Sequence, residues 1–302
     1  MSGPVVVFAG GTGGAKLARG MCDVVGADEL VVIANTGDDI EIYGSYVSPD
    51  PDLITFWLAD RIDSRGWGLS GDTFHVMDGL RELGVEVWFN LGDRDLAIGL
   101  ERNRVLARGE RLTDAQASIA HALGVRARVL PMSDAPVRTR VLSGDRWWPF
   151  QEYMIRSGGG PVQDVDFRGL RAAGPTAEVL EAIATARAIV IGPSNPVISI
   201  GPILSLRGVR EAMQASPAPV VAVSPIVRDA VLKGPTDEFM RFSGQPLSSA
   251  GIAACYAGLL DGLVADGRAA AVPVLETDVL MVSAEDRRRL AEETLDFALG
   301  LS

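Results

Sequence analysis

Along this chain, short runs of consecutive apolar and β-branched residues alternate with longer stretches in which apolar positions recur every three or four residues. The runs at 5–9 (VVVFA), 30–34 (LVVIA), 85–89 (VEVWF), 127–130 (ARVL), 188–192 (AIVIG) and 220–224 (VVAVS) read as β-strands. Most are apolar at nearly every position rather than at alternate ones, which suits strands covered on both faces, as in a parallel sheet. Their alternation with amphipathic helices predicts an α/β fold, a doubly wound, mainly parallel, Rossmann-like sheet.

Several helices show their starting signals. Thr113-Asp-Ala-Gln116 spells a capping box before ASIAHALG, Pro175-Thr176 precedes AEVLEAIATA, and Ser283-Ala-Glu-Asp286 opens a last helix that ends near Gly300. One region breaks the alternation. Between 137 and 168 a Ser-Gly-Asp turn separates two β-rich runs and a glycine-rich loop comes after them, which predicts a β-hairpin excursion. The chain thus divides into a Rossmann-like nucleotide-binding core, 1–136 and 175–302, and an inserted β-containing lobe, 137–174.

In an open α/β sheet, ligands bind beyond the carboxyl ends of the strands, so the residues just after each run matter most. GGTGGAK, NTGDD, NLGDRD, PSNP and SP stand after five of the runs and should share one rim. The first comes close to two phosphate-binding signatures and matches neither. A P-loop needs Gly-Lys-Ser/Thr, but Lys16 follows Ala15; a dinucleotide fingerprint starting at Gly11 needs a third glycine where Lys16 stands. Gly10, Gly11, Thr12, Gly13 and Gly14 still bring backbone N–H groups at a helix start towards a phosphate, and Lys16 can add a cation. The alternative is a tight strand–helix turn whose glycines serve packing alone.

Carboxylates come next. In SPDPDLITFW, Pro51 pushes Asp50 towards extended geometry, and alternate residues of an extended segment face one side. Asp50 and Asp52 are therefore expected to point together, an arrangement that suits Mg²⁺ with phosphate oxygens completing its shell. Alternatively, Asp52 caps the helix that begins LITFW. Asp38 and Asp39 stand near where a dinucleotide-binding fold places its ribose-binding acid, which is the best argument for a nicotinamide-dependent oxidoreductase. Arg94, between Asp93 and Asp95, can clamp a phosphate, or lie on the surface if Asp95 caps LAIGLERN. Ser194 and Asn195 offer donors and acceptors in a loop fixed by two prolines. RWWPFQEY gathers Trp147, Trp148, Phe150 and Tyr153, a core or interface cluster that could also cover a flat ring system.

Composition removes several classes. The only histidines, His75 and His121, lie in amphipathic helical patterns, which disfavours a Ser-His-Asp hydrolase. Cys22 and Cys255 have no CxxC spacing, so neither a disulfide framework nor a zinc site is expected. A formal charge of −11 argues against non-specific nucleic-acid binding. No apolar run approaches the ~20 residues of a membrane span, and no export signal is visible. A soluble, cytoplasmic protein is expected.

GGTGGAKL, NTGDD, SPDPDLITFWLAD, RGWGLSGDTF, LGDRD, LPMSDAPVRT, FQEY, GPSNPVISIGPIL and AVSPIV occur in one order. In that order the chain resembles the 2-phospho-L-lactate transferase family of coenzyme F-420 biosynthesis, including its actinobacterial phosphoenolpyruvate version. The resemblance implies a Mg²⁺-dependent transferase. It would move a phospho-organic-acid group from a guanosine-diphosphate-activated donor to the ribityl hydroxyl of the deazaflavin Fo, releasing GMP. Combined with the residue readings above, it gives these roles: Gly10, Gly11, Thr12, Gly13, Gly14, Lys16, Asn35, Ser194 and Asn195 at the nucleotide, with Asp52, Asn90 and Asp93 also binding. Asp50, Asp52 and Arg94 would be catalytic, and Asp39, Asp50 and Asp52 would hold the metal. Leu53 departs from the family spelling, which has a threonine there. A homodimer is implied. A non-enzymatic alternative is the related group of UDP-sugar-binding regulators of carbon metabolism, which share the fold and the glycine-rich opening.

Overall fold

The first apolar run becomes the centre of the sheet. In the computed structural model, which describes residues 3–227, 230–231, 235–268 and 271–301, strand β1 (Val5–Ala9) is wholly buried and has a parallel neighbour on each side. It runs into α1 (Gly11–Val25), which leads back to β2 (Leu30–Ala34). A hairpin of β3 (Ile40–Ile42) and β4 (Ser45–Val47) precedes α2 (Pro49–Leu58). Three helices, α3 (His75–Glu82), α4 (Asp93–Leu106) and α5 (Leu112–Ala122), then bring the chain to β5 (Arg128–Pro131).

The region that broke the alternation forms β6 (Arg138–Ser143), β7 (Arg146–Pro149), α6 (Phe150–Ile155) and β8 (Asp164–Arg168). Its strands make a separate antiparallel sheet, β7-β6-β8, with the hairpin turn at the Ser-Gly-Asp sequence. One face carries Val141 and Val165 against Phe150, Tyr153 and Phe239.

The second half continues with α7 (Ala177–Thr185), β9 (Ala188–Ile191), α8 (Gly201–Ser205), α9 (Val209–Ala215) and β10 (Val220–Val223). The short strands β11 (Ile226–Val227) and β12 (Ala230–Val231) pair with each other. Then come α10 (Thr236–Phe242), α11 (Ser249–Cys255), β13 (Gly262–Ala265), β14 (Val274–Glu276) and α12 (Ala284–Gly300).

The main sheet has the order β14-β13-β10-β9-β1-β2-β5 and is parallel throughout, so the α/β doubly wound expectation holds. Strand succession runs outward in both directions from the β1–β9 boundary, which makes that boundary the topological switch point. Alternate residues of β1 serve opposite layers. Val6 and Phe8 pack with Ile183, Ile203 and Ile252 on one face, whereas Val5 and Val7 pack with Leu17, Met21 and Leu290 on the other. Among the described residues, no helix is long and apolar enough to cross a membrane.

Three expectations change. The run 85–89 is not a strand: it is extended coil between α3 and α4, with Val85 exposed and Val87 and Phe89 packed beside Met77 and Leu96. Its apolar residues alternate with Glu86, so it covers a local cluster on one side only. Conversely, β13 and β14 occupy one side of the sheet although their runs, GLVA and VLE, are short and interrupted. The helix expected to be capped at Thr113 begins earlier, with Arg111 as cap and Asp114 closing the box. Thr113 lies in the first turn and donates to Asp134. Thr176 and Ser283 do cap α7 and α12, accepting from Val179 N and Asp286 N.

Candidate active site

A cavity of about 430 Å³ opens beyond the carboxyl ends of β1 and β9, at the switch point. Gly10, Gly11, Thr12, Gly13 and Lys16 line one side, Pro193, Ser194, Asn195, Ile198 and Ser199 another, and Asp38 and Asp50 reach it from the loop after β2 and the first turn of α2. Phe150 and Met154 of α6, with Trp67, Pro225, Val227, Val279 and Met281, give it an extensive apolar lining.

The glycine turn both packs and presents N–H groups. α1 begins at Gly11 with Gly10 as cap; the N–H groups of Gly10 and Gly11 donate to Ser194 Oγ and Asp50 Oδ1, and those of Thr12 and Gly13 stand at the helix start beside the cavity. Gly11 sits at φ +64°, and its N–H donates to Asp50 Oδ1 at 2.6 Å. A Cβ at Gly13 would collide with the Pro193 carbonyl, and one at Gly14 would lie 2.7 Å from Ser194 Oγ. These two glycines therefore let α1 approach the PSNP loop; Gly14 itself does not line the cavity. Ser194 Oγ donates to Gly10 O at 2.6 Å, which joins the two walls. Lys16 Nζ lines the cavity and donates to Met281 O at 2.8 Å.

The acidic pair is arranged differently from the extended segment expected. Pro49 occupies the start of a helix, a position where its fixed φ is favourable and its missing N–H costs nothing, and Asp50 and Asp52 both fall in the first turn of α2. They point apart. Asp50 accepts from Gly11 N and from Asn35 Nδ2 at 2.9 Å, at the cavity. Asp52 turns inward to Arg102, which is fully buried, and to Ser48 N at 3.4 Å. The NTGDD pair divides in the same way. Asp39 turns inward and accepts from Tyr46 Oη at 2.8 Å and Ser48 Oγ at 2.7 Å, whereas Asp38 lines the cavity with its Oδ1 buried and without a hydrogen-bond partner. In each motif the first acid faces the cavity and the second serves the scaffold.

Both cavity acids are raised, as is the inward-facing Asp39. Burial first, and then the neighbouring Asp50, hold the Asp38 carboxyl well above the usual carboxylate range. Burial raises Asp50 as well, against the opposing hydrogen bonds from Asn35 and Gly11. Asp39 is pushed up to about 7 by burial, with Arg138 pulling the other way. Two adjacent carboxyls that resist ionising, one with an orphaned oxygen, are relieved by a cation. The donor set fits Mg²⁺, which takes one or two carboxylates and completes its octahedron with phosphate oxygens and water. A three-residue His/Cys/Asp/Glu cage does not occur among the described residues, and this metal does not need one.

Asn35 is buried beneath the site: its Nδ2 holds Asp50, and its Oδ1 accepts from Gly37 N at 2.8 Å. Asn195 folds its Oδ1 onto Val197 N at 2.9 Å and Ile198 N at 3.2 Å, shaping the loop. Asn90, Asp93 and Arg94 do not line the cavity. Asn90 accepts from Arg81, Asp93 accepts from His75 N and Val76 N at the start of α3, and the exposed Arg94 donates to Ser70 O at 3.3 Å.

Sequence reading missed Arg102, Trp67 and the cavity role of Asp38. Arg102 had a signal: it continues the i, i+3 series of Leu96, Gly99 and Val105 on the buried face of α4, where a cation demands an acidic partner.

A sequence model of the family described as "2-phospho-L-lactate transferase CofD" matches residues 5–294. The 2-phospho-L-lactate transferase of Methanosarcina mazei is 39% identical over 299 residues, covering 95% of this chain and 98% of that protein. The phosphoenolpyruvate transferase of Kitasatospora aureofaciens is 39% identical over 310 residues, covering 95% and 97%. A crystal structure of a UPF0052 family member from Bacillus halodurans shares the fold, with a TM-score of 0.64 at 17% identity, covering 97% of this chain and all of that one. With cavity, acids and glycine turn in place, the match over nearly its whole length shows that this chain belongs to the 2-phospho-L-lactate transferase CofD family.

Proposed function

We propose that the protein transfers a phospho-organic-acid group, 2-phospholactate or phosphoenolpyruvate, from a guanosine-diphosphate-activated donor to the ribityl hydroxyl of Fo. The products are coenzyme F-420-0 or its dehydro form and GMP. The observation that carries this reading is one cavity shared by a helix-start glycine turn, two cation-seeking carboxyls and an apolar wall. The first suits a diphosphate, the second its metal, and the third a flat deazaflavin ring.

In this reading the backbone N–H groups of Thr12 and Gly13, at the start of α1, hold the diphosphate, while those of Gly10 and Gly11 hold Ser194 Oγ and Asp50. Asp38 and Asp50 would hold Mg²⁺, which would supply positive charge for the diphosphate and for the leaving GMP. Asn35 and Gly11 fix Asp50 in place, so little reorganisation accompanies charge development. The ribityl oxygen attacks the distal phosphorus in line, the bond to the GMP oxygen breaks, and the hydroxyl proton passes to a cavity carboxylate or to water. Positioning supplies much of the rate, and neither histidine is required. A homodimer is part of the same proposal.

The test is direct. The protein is incubated with Fo, Mg²⁺ and each activated donor, and F-420-0 mass and GMP are measured. Both products, abolished by EDTA without unfolding, are expected. Competent donor yielding neither product sinks the enzyme reading, and binding of a UDP-sugar without Fo would favour the regulator.

A further inference from the structure

Between α2 and α3 the chain makes a loop with closed ends. Ser70 N donates to Arg61 O at 2.7 Å and Ile62 bridges Leu69, so residues 61–70 leave the scaffold and return at one neck, the geometry of an Ω-loop. Its tip is Gly66-Trp67-Gly68, with φ of +86° and +103° at the two glycines, a backbone that a side chain at either position would strain. Trp67 is 53% exposed and yet lines the cavity. An indole usually buries its large apolar face, so one placed half in solvent at a cavity mouth is suited to covering an occupant.

The loop's return is anchored by residues whose spelling looked catalytic. Asp72 accepts from Arg94 N at 2.9 Å and Asp95 N at 3.3 Å, Arg94 Nη1 holds Ser70 O, and Asp93 N donates to Thr73 O at 2.8 Å. A Cβ at Gly92 would collide with the Asp72 carboxylate, so glycine is required for this approach. At the other end Arg19 grips Asp60 through two hydrogen bonds. Both ends are fixed while the tip carries the indole.

We propose that residues 61–70 form a tethered flap whose Trp67 stacks on the planar fused ring of a ligand in the cavity, and that the Gly92–Asp95 turn anchors this flap instead of joining the reacting centre. The inference deepens the proposed function and rests on its assignment of the cavity. Guanine and the deazaflavin are both planar fused heteroaromatics, and the test separates them. GDP and Fo are titrated singly into wild type, W67A and W67F by calorimetry, alongside steady-state turnover and melting temperature. W67A is expected to weaken one of the two ligands by about ten- to a hundredfold, the scale of aromatic–base stacking, with W67F restoring most of the affinity. R94A is expected to raise KM for that same ligand more than it lowers kcat. The flap is overturned if W67A binds both ligands like wild type, if W67F is as weak as W67A, or if wild type binds neither. A dominant fall in kcat for R94A would return Arg94 to the chemistry. Binding is read without turnover, so a protein that stacks its ligand but forms no product defeats the functional reading and leaves the flap standing.

Discussion

Arg102 and Asp52 form a buried ion pair beneath the first turn of α2, with Arg102 Nη1 donating to Asp52 Oδ2 at 3.1 Å and to Tyr46 O at 2.9 Å. Gln116 completes the network, accepting from Arg102 and donating to Thr55 Oγ1 at 2.9 Å. Gly99 makes it sterically possible, because a Cβ there would strike Ser45 Oγ where α4 crosses β4. Removing one partner strands a buried charge. Arg102→Met or Asp52→Leu alone should cost about 3–5 kcal/mol in denaturant unfolding, and the double replacement should recover most of it. Strictly additive losses would show that the two side chains do not act as a pair.

The cavity acids should behave in the opposite way. Asp38→Asn removes a carboxyl that burial keeps from ionising and whose Oδ1 has no partner, so its melting temperature should stay level or rise; Asp50→Asn gives up one of two accepted hydrogen bonds and should melt level or slightly lower. Turnover should fall by about a hundredfold or more at saturating substrates, the scale of losing one preorganised electrostatic group. Asp39→Asn, which disturbs a carboxyl bound to Tyr46 and Ser48, should affect stability before turnover. The measurement is kcat per folded molecule beside a melt. Equal losses of kcat in Asp38→Asn and Asp52→Asn, with equal melts, would erase the distinction between cavity acids and scaffold acids.

Much of the fold and of the site is legible in the chain. Runs apolar on both faces, such as 5–9 and 188–192, specify buried parallel strands, and the polar residues at their carboxyl ends land at the switch point because fold topology puts them there. Local rules failed where tertiary contacts decided. Pro51 restricts Asp50, but Pro49 opens a helix and places both acids in one turn, where alternation no longer applies. VEVWF has strand composition, but the sheet already ends at β5 and the run covers Met77 and Leu96 instead. LGDRD looked like a phosphate clamp because its acids and arginine are adjacent in sequence. Their partners, Asp72, Ser70 and Thr73, lie some twenty residues earlier, and only the fold shows the pairing.

The glycine turn yields a paired prediction. Gly13→Ala forces a methyl into the Pro193 backbone carbonyl and should cost about 1–3 kcal/mol while widening the turn and weakening GDP binding. Gly11→Ala meets nothing within 4 Å but sits at φ +64°, so its cost should be the left-handed strain alone, about 1–2 kcal/mol. Calorimetric GDP titration beside unfolding separates them. GDP affinity unchanged in Gly13→Ala would mean that the turn does not contact the nucleotide.

Asp95 gives the pH dependence. Burial, reinforced by the charges of Asp52, Asp72 and Asp63, pushes its carboxyl up to about 7 from an ordinary 3.8, against Arg65. The folded state therefore keeps a proton that the unfolded chain has released, and the associated stability, complete below the ordinary value, is lost as pH rises through about 7. Asp63, where slight burial is outweighed by Arg65, and Asp114, held by Arg111, lie below the usual range and work in the opposite sense. They lose their contribution only as pH falls below the ordinary carboxylate value. Asp95→Asn should consequently melt higher than wild type at about pH 8, where the native carboxylate is ionised among like charges. At about pH 4 the two proteins should melt close together, since the carboxyl is then protonated in the folded state and little more than half ionised in the unfolded one. A difference of the same size at both pH values would mean that packing of the amide, and not the trapped proton, separates the two proteins.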